Sequence, residues 1–121
     1  MTATPEFISL NIAIMTVSDS RTEENDKSGN ILAKKLVDAG HQLAEKKIVR
    51  DDRYQIRAVL SQWIADPEIH CVITTGGTGL TGRDITPEAV TPLFDKLIEG
   101  FGETFRMLSY DLIKTSTIQS R

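Results

Sequence analysis

The stretch N-I-A-I-M-T-V-S, residues 11–18, is an almost continuous apolar run rich in β-branched side chains. Such a run suits a strand covered on both faces, since a strand with one wet face alternates apolar and polar residues instead. The segment after it, Asp19 to Lys27, has six charged residues in nine and reads as an exposed loop. Ser28 is the expected cap of a helix whose apolar side is Ile31, Leu32, Leu36 and Val37, with Gly40 as its stop. Residues 42–49 alternate imperfectly and end in Ile48 and Val49, which predicts a second strand. Asp52 is a natural cap for a helix carrying Ile56, Val59, Leu60, Trp63 and Ile64 on one face. C-V-I-T-T at 71–75 predicts a third buried strand.

A glycine-rich loop, Gly76 to Gly82, follows. Thr86-Pro87 then reads as a helix start, with Thr86 as cap and Pro87 in the first turn. Val90, Leu93, Phe94, Leu97 and Ile98 are expected to form that helix's buried stripe. A further helix is expected from Glu103 to about Ile113. Strands alternate with helices, with no internal repeat, so the expected fold is α/β: a mostly parallel sheet between two helical layers in one domain, residues 1–121. Three strands are few for such a sheet. The β-branched, polar segment T-S-T-I-Q-S-R at 115–121 would normally lead into another strand and helix.

Composition narrows the function. The chain has 121 residues, 40% hydrophobic and 26% charged, as in ordinary globular domains. A net charge of -3 argues against loose electrostatic binding to nucleic acid. Cys71 is the single cysteine, which excludes an internal disulfide and a multi-thiolate metal site. No apolar run is long enough to span a bilayer, and Met1 to Glu6 lacks the basic start and apolar core of a signal peptide, so the expected location is the cytoplasm. His41 and His70 flank predicted strands and read as structural.

In open α/β sheets, ligands bind beyond the carboxyl ends of the strands. Three polar groups fall there: Ser18-Asp19-Ser20-Arg21, Asp51-Asp52, and Gly76-Gly77-Thr78-Gly79 with Arg83 and Asp84. Glycines let backbone N–H groups approach an anion, and threonine hydroxyls add donors. A helix N-terminus at Pro87 would add its dipole. Gly77, Gly79 and Gly82 match G-x-G-x-x-G, but that fingerprint should lead straight from the first strand into a helix, and here Arg83-Asp84-Ile85 intervene after the third. The same spacing lacks the Lys-Ser or Lys-Thr pair of a P-loop. Asp84, beside the glycine loop, is the leading candidate for holding magnesium on bound phosphates, with Asp51 second. Asp19 and Asp26 are weaker, as members of a charged loop. Arg21, Arg50, Arg53 and Arg83 are all candidates for phosphate. Trp63, Phe105 and Met107 read as packing residues.

T-V-S-D-S-R at 16–21, D-K-S-G at 26–29, T-T-G-G-T-G at 74–79, R-D-I-T-P-E at 83–88, G-F-G-E-T-F-R-M-L-S at 100–109 and S-T-I-Q-S-R at 116–121 together resemble the MoaB/MogA family over essentially the whole chain. The last two motifs are closer to the MoaB branch. The resemblance implies a three-layer α/β/α fold and trimers or hexamers. It also implies binding of molybdopterin and, in active members, transfer of AMP from Mg-ATP to its terminal phosphate with release of pyrophosphate. The product would pass to a molybdate-inserting MoeA-like protein, or take up tungstate. The family's two functional aspartates fall on Asp51 and Asp84, which would be catalytic and hold magnesium through the nucleotide. Its TGGTG loop falls on Thr75, Gly76, Gly77, Thr78 and Gly79, and its S-D loop on Ser18 and Asp19. Family members continue past the S-R pair with a strand, a P-G loop of the pterin pocket and a helix, so the chain is expected to be truncated at its C-terminus. The alternative function is a non-catalytic molybdopterin-binding or redundant paralogue.

Overall fold

The computed structural model describes residues 6–78, 81, 82, 84–105 and 107. Three parallel strands, β1 (Asn11–Val17), β2 (Gln42–Val49) and β3 (Cys71–Thr75), lie in the order β2-β1-β3. They alternate with helices α1 (Lys27–Asp38), α2 (Arg53–Ala65) and the short α3 (Thr86–Val90). All three strands lie where the apolar runs predict them.

β1 is central, and its side chains explain the layers. Ala13, Met15 and Val17 point to one face, where they pack with Val49, with Ile56, Leu60 and Trp63 of α2, and with Ala89 of α3. Ile12 and Ile14 point to the other, against Leu32 and Leu36 of α1 and against Ile73. The strand is buried from Ile12 to Val17, and apolar there except at Thr16, because both faces are covered. From β1 the chain moves to β2 on one side, then crosses to β3 on the other. The carboxyl ends of β1 and β3 therefore flank the crevice of a topological switch point.

Both long helices are capped by aspartate. Asp52 caps α2 as expected: its side chain accepts the N–H groups of Tyr54 and Gln55, each at 2.9 Å. Asp52→Ala is expected to lower stability by about 1 kcal/mol, read as a shift in the urea midpoint with an unchanged slope. α1 corrects the sequence reading. Its cap is Asp26, not Ser28, which lies inside the first turn. Asp26 is also not a solvated loop residue; it is 1% exposed. Its carboxylate accepts the Thr16 hydroxyl at 2.8 Å, the Gly29 N–H at 3.1 Å and the Lys46 ammonium at 3.0 Å. A Cβ on Gly29 would overlap this carboxylate, so the close approach of helix to acid requires glycine there. Burial pushes the Asp26 carboxyl up, but the bonds from Lys46, Thr16 and Gly29 outweigh it and hold it below its usual range. Lys46 is shifted above its own: burial opposes its charge, and Asp26 and Glu23 more than compensate.

Other expectations need correction. Ile31 and Val37 are more than half exposed, because each stands about 100° round α1 from the buried line of Leu32 and Leu36. Ile64, in the last turn of α2, is exposed too. α3 ends at Val90 and a 3-10 turn, Thr91–Leu93, follows. Thr91 keeps helical geometry, but Pro92 after it supplies no N–H to continue an α-helix. The expected stripe to Ile98 is therefore lost, and Phe94, Leu97 and Ile98 are exposed, the last at 84%. Thr86 does not cap its helix: its hydroxyl donates to the Gly76 carbonyl at 2.9 Å, and Ile85 takes the cap position with no side-chain bond. Residues 101–105 and Met107 are helical, and the other residues of the helix expected to Ile113 lie outside the described residues, as does T-S-T-I-Q-S-R. Trp63 is core, and its indole N–H donates to Glu45 at 2.6 Å. His41 and His70 accept the N–H groups of Leu10 and Asn11 through Nδ1, at 3.1 and 3.0 Å. Both therefore serve the amino end of β1.

Candidate functional site

The carboxyl ends of the strands bring three loops together. The loop after β1 begins at Ser18, whose N–H donates to the Val49 carbonyl at 2.9 Å and extends the β1–β2 pairing. The Ser18 hydroxyl oxygen accepts the N–H groups of Ser20 and Arg21, each at 3.2 Å, which curls the loop back on itself. Asp19 follows, exposed, and its Oδ1 accepts the Asp51 N–H at 3.1 Å. Asp51 is half-buried after β2, and its Oδ1 accepts the Ile85 N–H in a long bond of 3.4 Å. Ile85 adjoins Asp84, so the segment carrying Asp84 lies against Asp51.

Thr75 ends β3 opposite Thr16 of β1. Gly76 then adopts φ +91°, and a Cβ there would overlap the Val17 carbonyl oxygen. The glycine loop is thus pressed onto the end of β1, a position closed to any residue with a side chain. Thr86 fastens the far side of the loop, with its N–H to the Gly77 carbonyl at 2.9 Å and its hydroxyl to Gly76. Thr78 is half-buried beside them. Asp84 Oδ2 accepts both the N–H of Thr81, at 3.1 Å, and its hydroxyl, at 2.6 Å. Gly79 and Arg83 lie outside the described residues. The arginine candidates separate. Arg21 donates to the Asn25 carbonyl at 2.8 Å within its own loop, while Arg50 and Arg53 are exposed.

α3 has five residues, too few for the helix dipole expected at Pro87 to build up. It is held instead by a residue that the sequence reading passed over. Arg57 of α2 donates to the carbonyls of Ala89, at 2.8 Å, and Glu88, at 3.2 Å, at the end of α3. A basic residue one turn into a helix carries no signal that it will cap a different helix. A groove of about 440 Å³ lined by Trp63, Ile64, Ile69, Val72, Val90 and Phe94 shares no residue with these three loops.

Among the described residues no three His, Cys, Asp or Glu side chains could hold a metal by themselves. The two carboxylates of Asp51 and Asp84 are hard oxygen donors in adjoining segments. Magnesium commonly binds through one or two carboxylates, with substrate phosphates and water completing its shell. Two carboxylates in adjoining segments are a donor set of the kind that magnesium carried by a nucleotide uses.

The family model described as "Probable molybdopterin binding domain" matches residues 13–121. Molybdenum cofactor biosynthesis protein B of Escherichia coli (strain K12) is 55% identical over 116 residues, covering 96% of this chain. The chain belongs to the molybdenum cofactor biosynthesis family. Its fellow member from Bacillus cereus is 48% identical over 89% of the chain. The chain spans 68% of the length of the Escherichia coli family member and 64% of the Bacillus cereus one. A crystal structure of a molybdenum cofactor biosynthesis protein B superposes with a TM-score of 0.89 at 45% identity, over 94% of this chain and 71% of that one. The tungsten cofactor synthesizing protein MoaB from Pyrococcus furiosus gives 0.83 at 38%, over 98% and 72%. The α/β fold with its parallel sheet is thus that of the MoaB structures. No helix among the described residues is long and apolar enough to cross a membrane.

Proposed function

We propose that the protein is a molybdopterin adenylyltransferase: the terminal phosphate oxygen of molybdopterin attacks the α-phosphorus of Mg-ATP, and pyrophosphate leaves. The observation that carries this reading is the junction of Asp51 with the Asp84–Ile85 segment, beside a glycine loop pressed onto the end of β1. Two carboxylates and a set of backbone donors at a switch-point crevice suit phosphates and a metal ion together. Magnesium bound to the triphosphate would neutralise charge developing on its oxygens. Asp51 and Asp84 would act as the catalytic carboxylates, facing that ion. Ser18, Thr75, Gly76, Gly77, Thr78, Gly79 and Arg83 would hold phosphate or pterin.

The proposed setting is cytoplasmic, with a molybdate-inserting MoeA-like protein consuming the product. The proposed assembly is a homotrimer or a dimer of trimers, since Leu97, Ile98, Phe101, Phe105 and Met107 expose a run of apolar side chains late in the described chain. The test is incubation of the purified protein with molybdopterin, ATP and magnesium. Adenylylated pterin and pyrophosphate are expected in equal amounts, and neither without magnesium. Tight binding of molybdopterin with no adenylylated product would favour the second reading, a non-catalytic pterin-binding paralogue, for which the glycine loop alone would serve.

A further inference from the structure

We propose that Asp19 is a positioning residue for the Asp51 carboxylate and not a phosphate ligand; the role in turnover rests on the adenylyl-transfer reading above. β1 and β2 stop pairing at the bond from Ser18 to Val49, and Asp51 lies two residues past that point. Beyond the ladder, the Asp51 backbone needs another anchor. Asp19 Oδ1 provides one by accepting the Asp51 N–H at 3.1 Å. Asp51 in turn accepts the Ile85 N–H through its own carboxylate. The order is therefore Asp19 carboxylate, Asp51 amide, Asp51 carboxylate, Ile85 amide, and it ties the ends of β1 and β2 to the segment before α3.

A second consideration is charge. A carboxylate beside a phosphate would repel it, whereas a carboxylate accepting a backbone N–H makes a favourable charge-assisted bond. Positioning needs an oxygen at that place and not the charge itself. Asparagine keeps the oxygen and alanine removes it, so the two substitutions separate the roles. Asp19 is exposed on a loop, and neither change opens a cavity in the core.

The experiment compares Asp19→Ala and Asp19→Asn with the unsubstituted protein in two measurements: steady-state adenylylation of molybdopterin, and the amide proton shift of Asp51 by NMR. For Asp19→Ala, kcat is expected to fall about tenfold or more, as for a catalytic group moved by a fraction of an ångström, with the KM for ATP within about twofold. The Asp51 amide proton is expected to move upfield as its bond is lost. Asp19→Asn is expected to restore both. A raised KM with unchanged kcat would return Asp19 to phosphate binding and overturn the proposal. So would an asparagine variant as impaired as the alanine one, or an Asp51 amide that does not move in Asp19→Ala. If the unsubstituted protein makes no adenylylated pterin, the adenylyl-transfer reading fails. The amide shift still decides in that case whether Asp19 holds Asp51.

Discussion

Asp26→Ala is expected to remove about 3–5 kcal/mol of folding stability, the range for breaking a buried ion pair by deleting one partner. The expectation follows from what would be left behind. Lys46 is only 10% exposed in its side chain, and its ammonium would lose the partner at 3.0 Å. Glu23, 3.2 Å away, is 70% exposed and well hydrated, so it offsets little of the loss. The Thr16 hydroxyl and the Gly29 N–H would lose their acceptor in the same step, and α1 would lose its cap. Urea denaturation should show the whole effect as a lower midpoint. A loss below 1 kcal/mol would mean that water or Glu23 replaces the carboxylate. Asp26→Asn serves as the milder companion, because it keeps an oxygen for Gly29 and removes only the charge facing Lys46.

The same pair sets a pH signature. The Asp26 carboxyl is held below its ordinary value of 3.8, so its stabilising contribution is complete above that value. It is lost as pH falls through the lower folded value. Lys46 is raised above 10.5, so its contribution is complete below 10.5 and is lost as pH rises through the higher folded value. The stability difference between the unsubstituted protein and Asp26→Ala should therefore be flat between roughly pH 5 and 9 and shrink at both extremes.

How far the sequence could be read depended on the distance over which each feature is determined. The three strands follow from short apolar runs, and the covering of β1 on both faces follows from its lack of alternation. The placement of the S-D, Asp51 and glycine loops at one edge follows from strand–helix alternation alone. Asp52 was readable as a cap because its two acceptor bonds are local. Asp26 was equally local, three residues before Gly29, but its neighbours are charged. Nothing nearby in sequence shows that Lys46, twenty positions away, closes over it. The helix expected to reach Ile98 failed for the opposite reason. Its apolar spacing is helical, yet Pro92 breaks the hydrogen-bond ladder, and periodicity carries no trace of a missing N–H. The Asp19–Asp51 bond depends on how β1 and β2 are registered, including a shift between Ile12 and Ala13, which no pattern in either strand announces.

On the proposed function, Asp84→Asn should lower adenylylation by about a hundredfold or more, equivalent to about 2.7 kcal/mol of transition-state stabilisation. Molybdopterin affinity should stay within a few fold, because the pterin is not expected to reach this carboxylate except through the nucleotide's magnesium. The structure supplies a competing explanation that the experiment must separate. Asp84 Oδ2 accepts both polar hydrogens of Thr81, so the substitution could slacken the glycine loop as well as remove a charge. Thr81→Val isolates the loop effect: it deletes the 2.6 Å hydroxyl bond, keeps the backbone bond and leaves the Asp84 charge in place. If the charge matters, Thr81→Val should lose less than about tenfold while Asp84→Asn loses at least a hundredfold, since the hydroxyl bond is exposed and a bond that water can replace contributes only about 1 kcal/mol, under a factor of ten. Raising magnesium should not rescue Asp84→Asn at saturating ATP, because the lost interaction belongs to the transition state and not to metal loading. Equal losses in the two variants would make Asp84 a loop anchor and leave Asp51 as the sole candidate for the magnesium-facing role.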